Sequence, residues 1–427
     1  MSCFQARRKA LMGGLERGSV VVIAAGNMQL RNGDVYFPFR QDSHFYYLTG
    51  FNEPRAILMM VKHSNNRFAS IIFCREQDPV HAQWQGAVLG PGAALEQLGV
   101  DHAFSEAEFA DKIPEYIQSN SSLHMLVSTQ SGFCQKVQKR CAAAIGKLKL
   151  HDISPALSEM RLLKDQTEIT LMQRAADISC HAHLAAMRAT KPGMLESHVE
   201  GIMLSNMMAQ GCRQVAYESI VAGGNNACVL HYTQNNAMLN SNELLLVDAG
   251  VEFEGYAADI TRTFPISGVY TEAQRAVYQV VLDTQLALID MVKPGVAWGE
   301  MQHASERAIT QGLVKLGILS GNVASLMRNG SHKAFYMHGF GHWLGIDVHD
   351  VGSYGAGEKR NRPFEPGMVL TIEPGIYISE GMSGVDARWQ GIGIRIEDDI
   401  LVTEHGCRVL TKALPKSIEA IESVMRD

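Results

Sequence analysis

The 427-residue chain lacks most of the features that declare a protein's class at a glance. Its eight cysteines (Cys3, Cys74, Cys134, Cys141, Cys180, Cys212, Cys228, Cys407) are scattered and never spaced as CxxC. That excludes a zinc ribbon or a dithiol redox pair and points to reduced, mostly buried thiols of a cytoplasmic protein. No stretch reaches the roughly 18 uncharged apolar residues of a membrane helix. The run VVVIAA (20–25) behind Arg7, Arg8 and Lys9 is too short for a secretory signal. Positive charge is not in excess: 38 Lys+Arg face 44 Asp+Glu for a net −6, so no general attraction to nucleic acid or anionic lipid is expected. Low-complexity tracts and solenoid repeats are missing too. AGGNNA (222–227) is followed by no GK[ST] and reads as a turn, and VLGPGAALEQLG (88–99) follows no clear strand, so phosphate-loop and dinucleotide-loop readings fail.

What is present is globular: 46% hydrophobic and 19% charged residues, with length for two or three domains and a sizeable core. Up to about residue 150 helical and strand-like stretches alternate, with RRKALMGGL a helix, SVVVIAAG, AILMMVK and SIIFC strands, and EFADKIPEYIQS a helix. This predicts an α/β domain over 1–163, followed by a second domain over 164–427. The second has helical patterns at 167–189, 195–210, 272–292 and 298–316 with strand pairs between them. His181 and His183 on its first helix read as surface or core residues, and Met203, Met207 and Met208 as helix packing.

Inside the second domain one pattern occurs twice. NELLLVDAGVEF (242–253) and GMVLTIEPGIYI (367–378) each run apolar strand, acid, any residue, glycine, strand, and each is followed by a second strand-borne acid, Asp259 or Glu397. Two related hairpins with two carboxylates apiece suggest pseudo-symmetric halves facing one site. Any one of these acids could be a turn or cap residue. However, Asp248 ends LLLV, Glu373 ends VLTI and Glu397 follows IRI, where apolar side chains should be buried. A buried carboxylate must find a proton, a cation or hydrogen bonds. Four converging ones repel by about 4 kcal/mol per close pair, which two divalent cations would cancel. The Gly-rich stretch HGFGHWLGIDVHD (338–350) offers His338, His342 and His349 as a fifth ligand. Four carboxylates with one imidazole suit manganese, with cobalt or zinc as substitutes, better than copper. Metal pairs of this kind generate hydroxide from water near neutral pH. Arg395 stands two residues before Glu397 and shares its strand face, where it could orient a carboxylate or contact substrate.

These strings resemble, over nearly the whole chain, the pita-bread metallopeptidases and most closely the bacterial type of aminopeptidase P. VDAG, ADITRTF, MHGFGHWLG, TIEPG and IRIEDD match in order, as does RQDSHFYYLTGFNEP (40–54). Phe340-Gly341 departs from the more polar pair often found before the ligand histidine. The resemblance implies an α+β pita-bread domain whose metal ligands are Asp248, Asp259, His342, Glu373 and Glu397. Of these, Asp259 and Glu397 would bridge two ions, and Glu373 would also handle protons. It implies that His231 in LHYTQN and His349 in DVHD line the substrate pocket and stabilise the tetrahedral intermediate. His338 either contacts substrate or supports a neighbour. It also implies that Trp84 in HAQWQGAVLG, which alone reads as well as a partly buried tryptophan, closes the substrate cleft of a neighbouring subunit in a homo-oligomer, a tetramer. The implied reaction is removal of the residue that precedes a proline at the second position of a peptide. Prolidase shares the fold but cleaves Xaa-Pro dipeptides. Methionine aminopeptidase usually lacks such a first domain, creatinase-type relatives do not need the ligands, and a non-catalytic binding module would typically have lost some.

Overall fold

A computed structural model describes residues 2–63, 65, 67–116, 122–127, 132–145, 150–356 and 361–426. The chain divides into two compact units, Met1–Arg161 and Leu162–Asp427. The division falls at the end of the helix Ser154–Leu162 rather than at 163/164. The reason is that this helix is tied to the first unit: Tyr47 Oη donates to the Met160 carbonyl at 3.1 Å and Arg161 lies 3.2 Å from His44 Nδ1.

Among the described residues the first unit has eight strands, β1 Ser19–Ala24, β2 Leu30–Asn32, β3 Val35–Tyr36, β4 Ile57–Lys62, β5 Phe68–Cys74, β6 His102–Ser105, β7 Ser122–Met125 and β8 Leu150–Asp152. Six of them form one mixed sheet in the order β6-β5-β4-β1-β7-β8. Both β1 and β4 are buried along their whole length, which is why their sequences are apolar runs with no alternation. Helices Phe109–Tyr116 and Gly132–Ile145 bring Phe109, Ile113 and Val137 onto Val20, Val22, Ile57, Met59 and Phe73. The first helix runs Cys3–Gly13, earlier than RRKALMGGL suggests, because Ser2 and Gln5 form a reciprocal capping box at its start. The β2–β3 hairpin and the short helix Pro79–Gln85 had no periodic signal. They carry the exposed apolar side chains Leu30, Val35, Tyr36, Val80 and Trp84.

In the second unit the four expected helices are Gln166–Ala189, Glu196–Ala209, Glu272–Met291 and Trp298–Lys315. Met203 and Met207 are packed as expected, whereas Met208 falls on the solvent side of its helix and is exposed. The strands are β9 Ile220–Gly223, β10 Leu244–Asp248, β11 Glu252–Phe253, β12 Tyr256–Ala257, β13 Thr261–Pro265, β14 Val369–Ile372, β15 Gly375–Ile378, β16 Ile392–Arg395, β17 Asp398–Val402 and β18 Cys407–Val409. Two three-stranded sheets, β13-β10-β9 and β14-β17-β18, are each extended by a two-stranded ribbon, β11-β12 and β15-β16. Each half is therefore one long antiparallel hairpin, broken part-way along both arms. The acids sit at the breaks: Asp248 is the last residue of β10, Glu373 follows β14, Asp259 precedes β13 and Glu397 precedes β17. Asp259 and Glu397 are thus not strand-borne as expected. Asp248 keeps its pairing with Thr261 and Ile220, whereas Glu373, Asp259 and Glu397 lie in the breaks, outside the pleat.

Two glycines are required by close approach. A Cβ on Gly250 would lie 1.8 Å from the Ala258 carbonyl oxygen, and one on Gly341 would lie 2.0 Å from that of Thr371. The second explains Phe340-Gly341. The segment runs along β14, with Thr371 N donating to His342 O at 2.9 Å and Glu373 N to Phe340 O at 2.8 Å. Phe340 is itself buried, its ring 4.6 Å from that of Trp298.

Candidate metal centre

Of the predicted ligands, the structure brings Asp259, His342 and Glu397 closest together, with one potential ligand atom from each lying within 4.8 Å of the others. His342 Nε2 is 3.3 Å from Asp259 Oδ2 and 3.7 Å from Glu373 Oε1. Its other nitrogen, Nδ1, is 3.0 Å from the Trp343 carbonyl, which keeps a proton on Nδ1 and turns Nε2 toward the acids. Asp248 joins the group through Tyr217, whose hydroxyl lies 2.6 Å from both Asp248 Oδ1 and Asp259 Oδ1. Glu397 Oε2 accepts from Thr261 Oγ1 at 2.7 Å.

Among the described residues, Arg395 is the guanidinium hydrogen-bonded to this cluster. Its Nη2 donates to Asp248 Oδ2 at 2.5 Å, its Nε to Thr261 Oγ1 at 3.1 Å and its Nη1 to Tyr377 Oη at 3.0 Å. Tyr377 Oη is also 2.8 Å from His338 Nε2, while His338 Nδ1 is 2.8 Å from the Gly339 carbonyl. His338 is therefore held in a chain that runs through Tyr377 to Arg395. His349 presents its exposed ring at 4.2 Å from that of His342. The His231 charge bears on both His338 and His349, so the exposed His231 ring shares their surroundings. Trp84 lies in the first unit, where it is 82% exposed, not partly buried.

Burial sets the electrostatics. It raises the carboxyl of Glu373 to about 7, and it pushes Glu397 well above the usual carboxylate range, with Asp259 adding to the effect. Burial raises Asp248 as well, against the pull of Arg395. Asp259 moves the other way: burial is outweighed by the hydrogen bond and charge of His342. The same pairing outweighs burial at His342 and holds its imidazole up at about 9. Burial lowers His338 to about 4, and burial followed by His342 lowers His349.

Three buried carboxylates and the partly buried Glu373 face Arg395 and His342, so among the described residues acids outnumber cationic groups at this centre. Hard oxygen donors and one oriented imidazole fit divalent cations. Sequence reasoning had missed Tyr217, Thr261 and Tyr377. The repeated hairpin pattern could have flagged Tyr377, which stands two residues beyond Gly375 on the face of β15 that looks at Arg395. Nothing in the local string around Tyr217 distinguishes it from a core tyrosine.

A strand-break acid cluster on a pseudo-symmetric hairpin pair defines a metallohydrolase-type centre, and comparison with known proteins makes the class specific. Residues 170–404 match metallopeptidase family M24, and residues 4–125 match the N-terminal domain of aminopeptidase P. The chain is 44% identical over 422 residues to an Xaa-Pro aminopeptidase of Haemophilus influenzae, covering 99% of this chain and 96% of that protein. It is 40% identical over 433 residues to the Xaa-Pro aminopeptidase of Escherichia coli, covering 99% and 97%. Zinc-substituted E. coli aminopeptidase P in complex with product superposes with a TM-score of 0.96 at 40% identity, covering 100% of this chain and 98% of that one. The chain belongs to metallopeptidase family M24, with the aminopeptidase P type of N-terminal domain ahead of its pita-bread catalytic domain.

Proposed function

We propose that the protein is an Xaa-Pro aminopeptidase that uses two divalent metal ions to hydrolyse the bond between the first residue of a peptide and a proline in second position. The observation that carries this reading is the gathering of Asp248, Asp259, His342, Glu373 and Glu397 at one buried centre, in a chain that matches Xaa-Pro aminopeptidases end to end. These five residues would hold the ions, and manganese suits their oxygen-rich donor set. Bound there, the ions supply charge neutralisation and a water acidic enough to act as nucleophile near neutral pH.

The chain's own residues supply the rest. Glu373, lifted by burial to about 7, takes and returns a proton at its carboxylate. His349 and His231 donate hydrogen bonds to the carbonyl oxygen as negative charge develops on it. Arg395 orients Asp248, with Tyr377 and His338 holding the guanidinium in place. A proline nitrogen has no N–H and its φ is fixed, so pockets built for ordinary peptides fit such a substrate poorly and a dedicated enzyme is needed.

We further place the enzyme in the cytoplasm, a location supported by eight free cysteines. Among the described residues no helix is long and apolar enough to cross a membrane. The exposed apolar side chains of the first unit support a homo-oligomer, a tetramer, in which Trp84 walls the substrate cleft of a neighbouring subunit. A peptide panel with added manganese tests the function. Cleavage of Xaa-Pro-Yaa and not of Xaa-Ala-Yaa is expected, whereas cleavage confined to Xaa-Pro dipeptides would make the enzyme a prolidase. Light scattering that returned a monomer would remove the oligomer.

A further inference from the structure

Glu196 is the first residue of the helix Glu196–Ala209 and is fully buried. Its Oε1 accepts hydrogen bonds from Gly223 N at 2.8 Å and Asn226 Nδ2 at 3.0 Å, and its Oε2 accepts from Tyr232 Oη at 2.8 Å and Ala237 N at 2.9 Å. The donors run from Gly223, the last residue of β9, through the stretch that returns at β10. Apart from the 3-10 turn Gly224–Cys228, this stretch has no regular secondary structure, and its backbone takes positive φ at Gly224 and Asn235. It also carries His231. A segment without a ladder or helix must find other partners for its backbone groups, and here Glu196 supplies them at both ends. Asn235 adds a second staple, accepting from Val221 N at 3.0 Å and donating to Ser219 O at 2.8 Å.

The His231 ring is exposed, and among the described residues no hydrogen bond holds it. Its place is therefore set by the path of its backbone, and the next residue, Tyr232, is bonded directly to Glu196. We propose that Glu196 is a positioning residue that fixes the 223–237 loop so that His231 meets the scissile carbonyl oxygen. This rests on the reading of His231 as a transition-state hydrogen-bond donor. A carboxylate is an acceptor at both oxygens, which is what four converging donors require. A glutamine would turn an NH2 group against two of them.

The test is a double-mutant cycle in the full-length enzyme, with metal content and thermal midpoint measured on every variant. Glu196→Gln should lower kcat about tenfold or more with KM changed less than about threefold. Tyr232→Phe removes one donor without burying a new polar group and should give a smaller loss of the same kind in a protein that folds normally. In a His231→Ala background neither substitution should lower kcat further, because the group they position is gone. Losses that add to that of His231→Ala, or that track lost metal, would overturn the positioning role while leaving His231 in place. A His231→Ala enzyme as fast as the parent would overturn the assignment of His231 itself, and the positioning role with it.

Discussion

The two hairpins share one sequence pattern, yet the structure treats their acids differently. In the first, Asp248 is clamped between the Tyr217 hydroxyl and the Arg395 guanidinium. In the second, Glu373 has no such clamp: its nearest cationic partner is His342, at 3.7 Å, and burial lifts its carboxyl to about 7. The difference comes from what lies outside the repeat. Arg395 is on β16, paired beside Gly375, but its side chain reaches across to the first half. Pseudo-symmetry can thus place two matching acids, and one guanidinium hydrogen-bonded to only one of them holds Asp248 in a fixed orientation while Glu373, the proposed proton carrier, has no such tether.

Removing the unclamped acid is the strongest way to test that division of labour. Glu373→Ala should lower kcat by about 10³-fold with the fold retained by circular dichroism, and a chelator should abolish turnover of the unaltered enzyme. Full activity in a metal-free preparation would end the metal reading altogether. The next effect in size concerns a group outside both hairpins. His349, held below the usual imidazole range by burial and then by His342, is neutral and able to donate. His349→Ala should cost about 10²-fold in kcat with little change in KM. If the variant instead loses metal while keeping its rate per bound ion, His349 is a ligand.

Freeing the clamped acid should do less. Arg395→Lys keeps the charge but cannot reach Thr261, Tyr377 and Asp248 together as the fork does. A loss of about tenfold in kcat is expected. An unchanged rate would show that Asp248 needs only a nearby charge and would erase the contrast between the hairpins.

The legible part of the molecule was the part where function contradicts local packing. Acids closing the runs LLLV and VLTI conflict with burial, and that conflict identified Asp248 and Glu373 before any geometry was known. Helices with clean 3.6-residue spacing were legible as well. What stayed hidden was of two kinds. Partners far apart in the chain left no local trace: Lys164 and Asp350 form a fully buried ion pair across 186 positions, and Tyr217 reaches two acids from an unremarkable string. Other residues had a sufficient ordinary explanation. Glu196 looks like any acid in the first turn of a helix, and nothing near it suggests that it gathers a loop. Asp259 and Glu397 stand out in the sequence, but the strand breaks beside them do not, because a break in pairing is a property of two segments and is invisible in either one.

The smallest expected effect carries the contrast between held and unheld side chains over to the tryptophans. Trp298 and Trp343 are fully buried, with their rings 4.6 Å apart beneath the His342 segment. Trp84, on the helix Pro79–Gln85, is 82% exposed. Burying a tryptophan contributes to stability in proportion to the apolar area removed from water, so an exposed one contributes little to its own fold. In the proposed oligomer its contribution comes from what it touches across the subunit boundary. A flat aromatic surface suits a proline ring, which stacks and buries area without needing a hydrogen bond. Trp84→Ala should therefore raise KM for Xaa-Pro-Yaa several-fold while kcat and the thermal midpoint stay nearly unchanged. Trp298→Ala should do the reverse, lowering stability by about 3–5 kcal/mol. A Trp84→Ala enzyme with unaltered KM and unaltered oligomeric state would show that this side chain serves neither substrate nor subunit contact.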